Sequence, residues 1–135
     1  MSDQDIKSKR PLSPHLQVYK PQMTSVMSIL HRATGVFLSL FAVLLLLGFT
    51  LSVLMGAERY DQFVSLLGSF FGRGILFALS VCIFYHMFNG IRHLFWDSGK
   101  LFKIENAQYA GAFVLLGTGA ATLAYWYCAY HYALK

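Results

Sequence analysis

Between His86 and Asp97 the chain reads HMFNGIRHLFWD, a stretch that sets two imidazoles, a carboxamide, a guanidinium and a carboxylate at the end of an otherwise apolar run. Groups of these types ligate metals, carry protons and donate hydrogen bonds. At a 3.6-residue period, Cys82, His86, Asn89, Gly90 and His93 fall on one stripe. A second polar set, Ser28, His31 and Arg32, is spaced i, i+3 and i+4, so these residues also share one side of a helix. Gly35 and Ser39 continue the side of Ser28 and Arg32. Small residues there let a bulky group come close to the backbone.

The elements that must position these residues are membrane spans. Hydrophobic residues make up 56% of the 135 and charged residues 13%, far from a soluble average. Ala33 to Met55 is uncharged for 23 residues, Gly74 to Ile91 for 18 and Asn106 to Leu134 for 29. At ~1.5 Å rise per residue each crosses, or nearly crosses, a ~30 Å hydrocarbon core. The expected fold is an all-α membrane protein with three transmembrane helices at about 29–55, 72–96 and 106–132. Residues 1–27 form a polar, basic arm at the membrane surface, broken by Pro11, Pro14 and Pro21. Gly56 to Arg73 reads as a short loop with an interfacial helical turn, and Arg92 to Glu105 as the end of helix two followed by a second loop. Gly111, Gly117, Ala121 and Ala124 give helix three small-residue spacings that permit tight contacts. Tyr125, Trp126, Tyr127, Tyr130 and Tyr132 form an aromatic belt near its end.

The formal charge of +5 does not point to nucleic acid, because the basic residues lie at the ends of apolar segments, where membrane topology explains them. The arm with Arg32 and the second loop hold eight Lys and Arg; the first loop with Arg73 and the carboxy terminus hold three. The positive-inside rule then places the amino terminus in the cytoplasm and the carboxy terminus outside. Cys82 and Cys128 have no CxxC spacing and suggest neither a disulfide framework nor a zinc site. No signal or transit peptide is read in MSDQDIKSKR. Three spans make a thin bundle, so a subunit of a larger membrane assembly is expected.

His86 is the deepest ionisable group of its set, roughly 9 Å further into the hydrocarbon than Arg92 at helical rise. Two readings of it stand: a neutral histidine hydrogen-bonded to a neighbouring helix, and an axial ligand to haem, held rigidly by the helix with Gly90 relieving porphyrin crowding. His31 lies beside Arg32 at the polar boundary, where the two suit the carboxylates of a haem's propionates better than its iron. A second iron ligand must then come from another chain. Simpler roles stand beside these: phospholipid anchoring by Arg32 and Arg92, an N-cap for Ser28, and structural roles for His15 and His131.

The arm RPLSPHLQVYKPQMTSVMSILHRATG, Arg10 to Gly35, and the block HMFNGIRHLFWD resemble the cytochrome b subunit of succinate dehydrogenase, respiratory complex II. That resemblance implies a four-subunit enzyme in which a flavoprotein oxidises succinate, an iron-sulfur protein carries electrons, and two small membrane subunits anchor them, this chain resembling the larger anchor. It implies that His86 is the axial ligand of one haem b, shared with the smaller hydrophobic anchor, which supplies the partner histidine. Ser28 and Arg32 are then ubiquinone-site residues, with His31 and Arg32 also near the haem propionates. Asp97 matches a position that helps deliver protons to that site, and His93 is its neighbour. Ser28 and Arg32 can donate to a quinone's carbonyls and Asp97 can relay protons. The anchor itself is not expected to oxidise succinate.

Its expected place is the bacterial inner membrane, as a multi-pass protein, with the mitochondrial inner membrane as the alternative. The alternative functions are the anchor of a fumarate reductase and a haem-free helical scaffold.

Overall fold

A computed structural model of the chain describes residues 21–101 and 103–133. Its helices are α1 (Met23–Leu54), α2 (Ala57–Gly68), α3 (Phe70–Asp97) and α4 (Ile104–Cys128), the last running into a π-helical turn, Ala129–Ala133. No strand occurs among the described residues. The helix spans Met23–Leu54, Phe70–Asp97 and Ile104–Tyr132 are each long and apolar enough to cross a membrane, which gives the all-α, three-span architecture expected. The arm as far as Lys20, with Pro11, Pro14 and His15, lies outside the described residues.

The first helix starts at Met23 and not near residue 29. Pro21 is the last proline of the arm, and from Gln22 to Thr34 there is neither proline nor glycine to interrupt a helix. Gln22 is the N-cap residue, so Ser28 is interior to α1 and the N-cap role considered for it is excluded. The short loop with an interfacial helical turn expected over 56–73 is largely the 12-residue helix α2, longer than a turn. Its Glu58, Arg59 and Gln62 are linked by hydrogen bonds of 3.0 and 3.4 Å. On its other side Phe63 packs where Gly48 of α1 has no side chain, 2.9 Å from the position a β-carbon would take. Such one-sided polarity suits a helix lying in the membrane interface. The corner between α1 and α2 is made by Gly56 at φ 99, a left-handed conformation open to glycine at little cost. Ser69 starts α3, its hydroxyl accepting from the Gly72 amide at 3.1 Å.

The three long helices alternate in direction, and their register follows from the side chains between them. Down the α3–α4 seam, Arg92 meets Ala107, Phe88 meets Gly117, and Ser80 meets Trp126. Along α1 and α3, Met27 faces Tyr85 and Asn89, and His31 faces His86. Gly111 lets α4 close on α1: a β-carbon there would lie 2.7 Å from Met23 Cε and 2.9 Å from Met27 Sδ. These two glycine contacts realise the small-residue packing expected of helix three.

The core is small and lies toward the end of the bundle where α1 begins. Met27, Tyr85 and Val114 form it, with Phe88 against them. Elsewhere the buried hydroxyls of Ser52, Ser80 and Thr118 donate to carbonyls three or four residues back, which satisfies them inside hydrocarbon. Only Met27 and Ser52 of α1 are buried. Most of α1 therefore presents apolar side chains to lipid or to another helix.

Candidate functional site

The early start of α1 changes where its polar residues lie. Counted from Met23, Ser28, His31 and Arg32 belong to the second and third turns and not the first, about 12 Å into the helix in the case of His31. With α3 antiparallel to α1, that carries His31 inward to His86. Their rings stack with centroids 3.9 Å apart and planes within 10°. The expected separation of a boundary His31 from a deep His86 is thus not what the fold makes. His93 joins from the next turns of α3, its ring 5.1 Å from His31 and 5.3 Å from Trp96.

His86 is half-buried, and one of its ring nitrogens is engaged. Nδ1 lies 3.1 Å from the His31 carbonyl and 3.2 Å from the Thr34 hydroxyl. A carbonyl only accepts, so Nδ1 carries the proton and Nε2 keeps its lone pair. Nε2 has no hydrogen-bond partner among the described residues. Gly35 is what allows this approach, because a β-carbon there would lie 2.9 Å from His86 Cε1. The bulky group that meets the small residue of α1 is therefore the imidazole itself. At Gly90 the nearest group is His31, 3.8 Å from a notional β-carbon.

Beside the imidazoles runs a polar stripe that the sequence reading did not single out. Tyr85, Asn89, Arg92 and Trp96 recur at i, i+4, i+7 and i+11 on α3. Tyr85 donates to the Met27 carbonyl at 2.9 Å, and the Asn89 amide reaches the same oxygen at 3.4 Å. Arg92 donates to Asn89 Oδ1 and to the Ala107 carbonyl, both at 3.3 Å, while its guanidinium lies 4.0 Å from the Trp96 ring centroid. Trp96 donates in turn to the Leu101 carbonyl at 2.9 Å. Asn89 is 0% exposed and Arg92 3%. Phospholipid anchoring is excluded for Arg92: its side chain turns into the bundle, where carbonyls and an aromatic face replace water. The spacing was the available signal. An arginine at the end of an apolar run reads first as a boundary residue, which masks that signal.

The remaining sequence-predicted residues gather at the same end of the bundle. Ser28 is half-buried and lines a cleft with Gln22, Thr24, Trp96, Leu101 and Ala107. The cleft holds about 450 Å³, within the ~300–1,000 Å³ of small-molecule sites. Arg32 is exposed one turn further along α1, and Asp97 is exposed as the last residue of α3. Ser28, Arg32 and Asp97 have no hydrogen bond to another described side chain, so the structure brings them to one end without joining them. Cys82 and Cys128 are free thiols.

Comparison with known proteins bears on what this end of the bundle does. The model of the succinate dehydrogenase/fumarate reductase transmembrane subunit matches residues 6–125. The chain belongs to this family. A succinate dehydrogenase cytochrome b556 subunit from Rickettsia conorii is 42% identical over 124 residues, covering 91% of this chain and 95% of its own length. A cytochrome b560 subunit from Reclinomonas americana is 41% identical over 119 residues, covering 80% and 77%. The human mitochondrial b560 subunit is 38% identical over 121 residues, covering 86% and 69%. As a family member with three spans and bacterial relatives of this kind, the chain is a multi-pass inner-membrane protein, its mitochondrial counterparts having the equivalent membrane.

The buried network predicts a stability effect. Arg92→Lys keeps the charge but loses the fork that reaches Asn89 and Ala107 together and the planar face over Trp96. The substitution is expected to lower the stability of this family's membrane domain by about 1–3 kcal/mol, the cost of stranding buried polar partners. Thermal melts of the detergent-solubilised complex measure it, and a melting midpoint equal to wild type would contradict the network's role.

Proposed function

We propose that the chain is the larger membrane anchor of a succinate dehydrogenase, that it holds one haem b jointly with a smaller anchor subunit through His86, and that it forms part of the site where ubiquinone is reduced. The single observation that carries this reading is the state of His86. Its Nδ1 proton is committed to α1, so its Nε2 lone pair is free for iron, the arrangement in which a histidine ligates metal while a second partner orients it. Bound there, a haem supplies a one-electron centre beside the quinone end of the bundle.

The donor set fits such a group. The His31 ring lies parallel to that of His86, so it does not cap the in-plane direction in which Nε2 bonds. His31 Nδ1 is buried with no partner among the described residues, which leaves it a hydrogen bond to make with a carboxylate such as a propionate. Arg32, exposed on the adjacent turn, is the cation for the same carboxylates and for the quinone. A haem would ask only one ligand of this chain. A second histidine would then come from the smaller anchor.

Reduction of a quinone to its quinol needs a hydrogen-bond donor at each carbonyl and two protons from the aqueous side. The Ser28 hydroxyl lines the cleft and Arg32 follows one turn on, about 6 Å along the axis. Asp97, exposed at the end of α3, can take protons from water and pass them inward, with His93 between it and His31. The excess of Lys and Arg at this end supports placing it, and the amino terminus, on the cytoplasmic side. The flavoprotein and iron-sulfur subunits would dock there. The family also includes fumarate reductase subunits, but the relatives named above all carry succinate dehydrogenase names, which favours succinate oxidation.

Two measurements on the purified membrane complex test the proposal. The reduced-minus-oxidised optical spectrum should contain a b-type band that His86→Ala abolishes or strongly alters; a wild-type complex without the band would sink the haem assignment. Arg32→Ala should reduce succinate:ubiquinone activity by roughly tenfold or more, the scale on which a lost charged donor of 1.5–3 kcal/mol acts, while succinate oxidation with a soluble dye acceptor persists. Equal loss with both acceptors in an assembled complex would remove Arg32 from the quinone site.

A further inference from the structure

Thr34 was singled out neither by its chemistry nor by its spacing, yet it stands against the one imidazole on which the proposed haem site depends. We infer that the Thr34 hydroxyl is a positioning group for His86 that sets the donor strength of its Nε2, and with it the midpoint potential of the haem; the inference rests on the haem reading above. The Thr34 hydroxyl is 2.8 Å from the Leu30 carbonyl and 3.0 Å from the His31 carbonyl. Both are acceptors only, so its proton is spent on the α1 backbone and its oxygen is left to accept. The group facing that oxygen is His86 Nδ1, at 3.2 Å. The same Nδ1–H also points at the His31 carbonyl, at 3.1 Å.

One turn of α1 therefore makes a cradle for the ring. Two acceptors share its Nδ1 proton, and bare backbone at Gly35 meets its Cε1 edge. Each acceptor draws the proton outward and leaves more electron density on Nε2. A more strongly donating imidazole favours oxidised over reduced iron, so Thr34 holds the potential lower than the carbonyl alone would.

The experiment uses the intact four-subunit complex with Thr34→Val, Thr34→Ala and Thr34→Ser. Valine keeps the branched shape without the hydroxyl, alanine removes both, and serine restores the hydroxyl. Haem content is read from the reduced band and the midpoint potential from redox titration. Outer-sphere partners of metal-bound histidines change metal affinity or activity by about ten- to a hundredfold. With the His31 carbonyl remaining, a shift near the lower end is expected: about tenfold toward the reduced form in Thr34→Val and Thr34→Ala, equivalent to about 59 mV more positive for one electron.

Thr34→Ser should titrate with wild type. Haem-loaded Thr34→Val or Thr34→Ala at the wild-type potential would overturn the inference and leave the haem reading standing, as would a Thr34→Ser shift equal to that of Thr34→Val. A wild-type complex without the haem band would overturn both.

Discussion

A guanidinium inside a three-helix membrane bundle, with no carboxylate paired to it among the described residues, is the constraint on which the rest of this structure depends. Placing arginine within the membrane costs a few kcal/mol by insertion scales, and Arg92 offsets that cost with Asn89 Oδ1, the Ala107 carbonyl and the face of Trp96. Two of the three backbone carbonyls used by this network belong to the neighbouring helices: Met27 on α1 holds Tyr85 and Asn89, and Ala107 on α4 holds Arg92. Polar contacts of this kind supply register that apolar packing in lipid does not, because lipid tails compete equally for apolar side chains. With α3 fixed against both neighbours, one face of it must meet α1 at His31. The stacking of His31 on His86 follows from that register.

The remainder of the bundle is economical. Among the described residues its buried hydrophobic cluster is Met27, Tyr85 and Val114 with Phe88 against them, and α1 leaves Val36, Leu40, Val43 and Leu47 exposed. A chain so thinly covered is suited to burying its long faces against lipid and against other subunits. The polar groups are sparsely engaged in the same sense: among the described residues His86 Nε2, Ser28, Arg32 and Asp97 have no side-chain hydrogen-bond partner. The proposed function gives each of them a partner from outside the chain.

Much of this was legible in the sequence, because uncharged runs of 18 to 29 residues leave little choice but membrane helices and because glycines such as Gly111 mark close approach. His86 was readable as the deepest ionisable group of its set, with both a hydrogen-bonded and a ligating role open to it. What could not be read was relative position across helices. The start of α1 at Met23, set by the absence of any breaker after Pro21, moved Ser28, His31 and Arg32 inward by a turn or more and brought two imidazoles into contact. A one-dimensional depth count kept these apart. Arg92 was misplaced because terminal arginines usually snorkel, and only the partners on α4 reveal that this one turns inward. Thr34 carried no signal of its own, since a threonine in an apolar helix ordinarily bonds its own backbone, as this one also does. The loop over 56–73 hid α2 because a 12-residue interfacial helix lacks the long apolar run that announces a span.

In the proposed function His86 presents Nε2 to a haem while α1 holds its Nδ1. The most direct measurement is a cryo-electron microscopy map of the intact complex at a resolution that shows side chains. The expected map shows a porphyrin whose iron lies on His86 Nε2, with Nδ1 facing the His31 carbonyl and Thr34. A map in which His86 Nε2 meets only protein or lipid would contradict it.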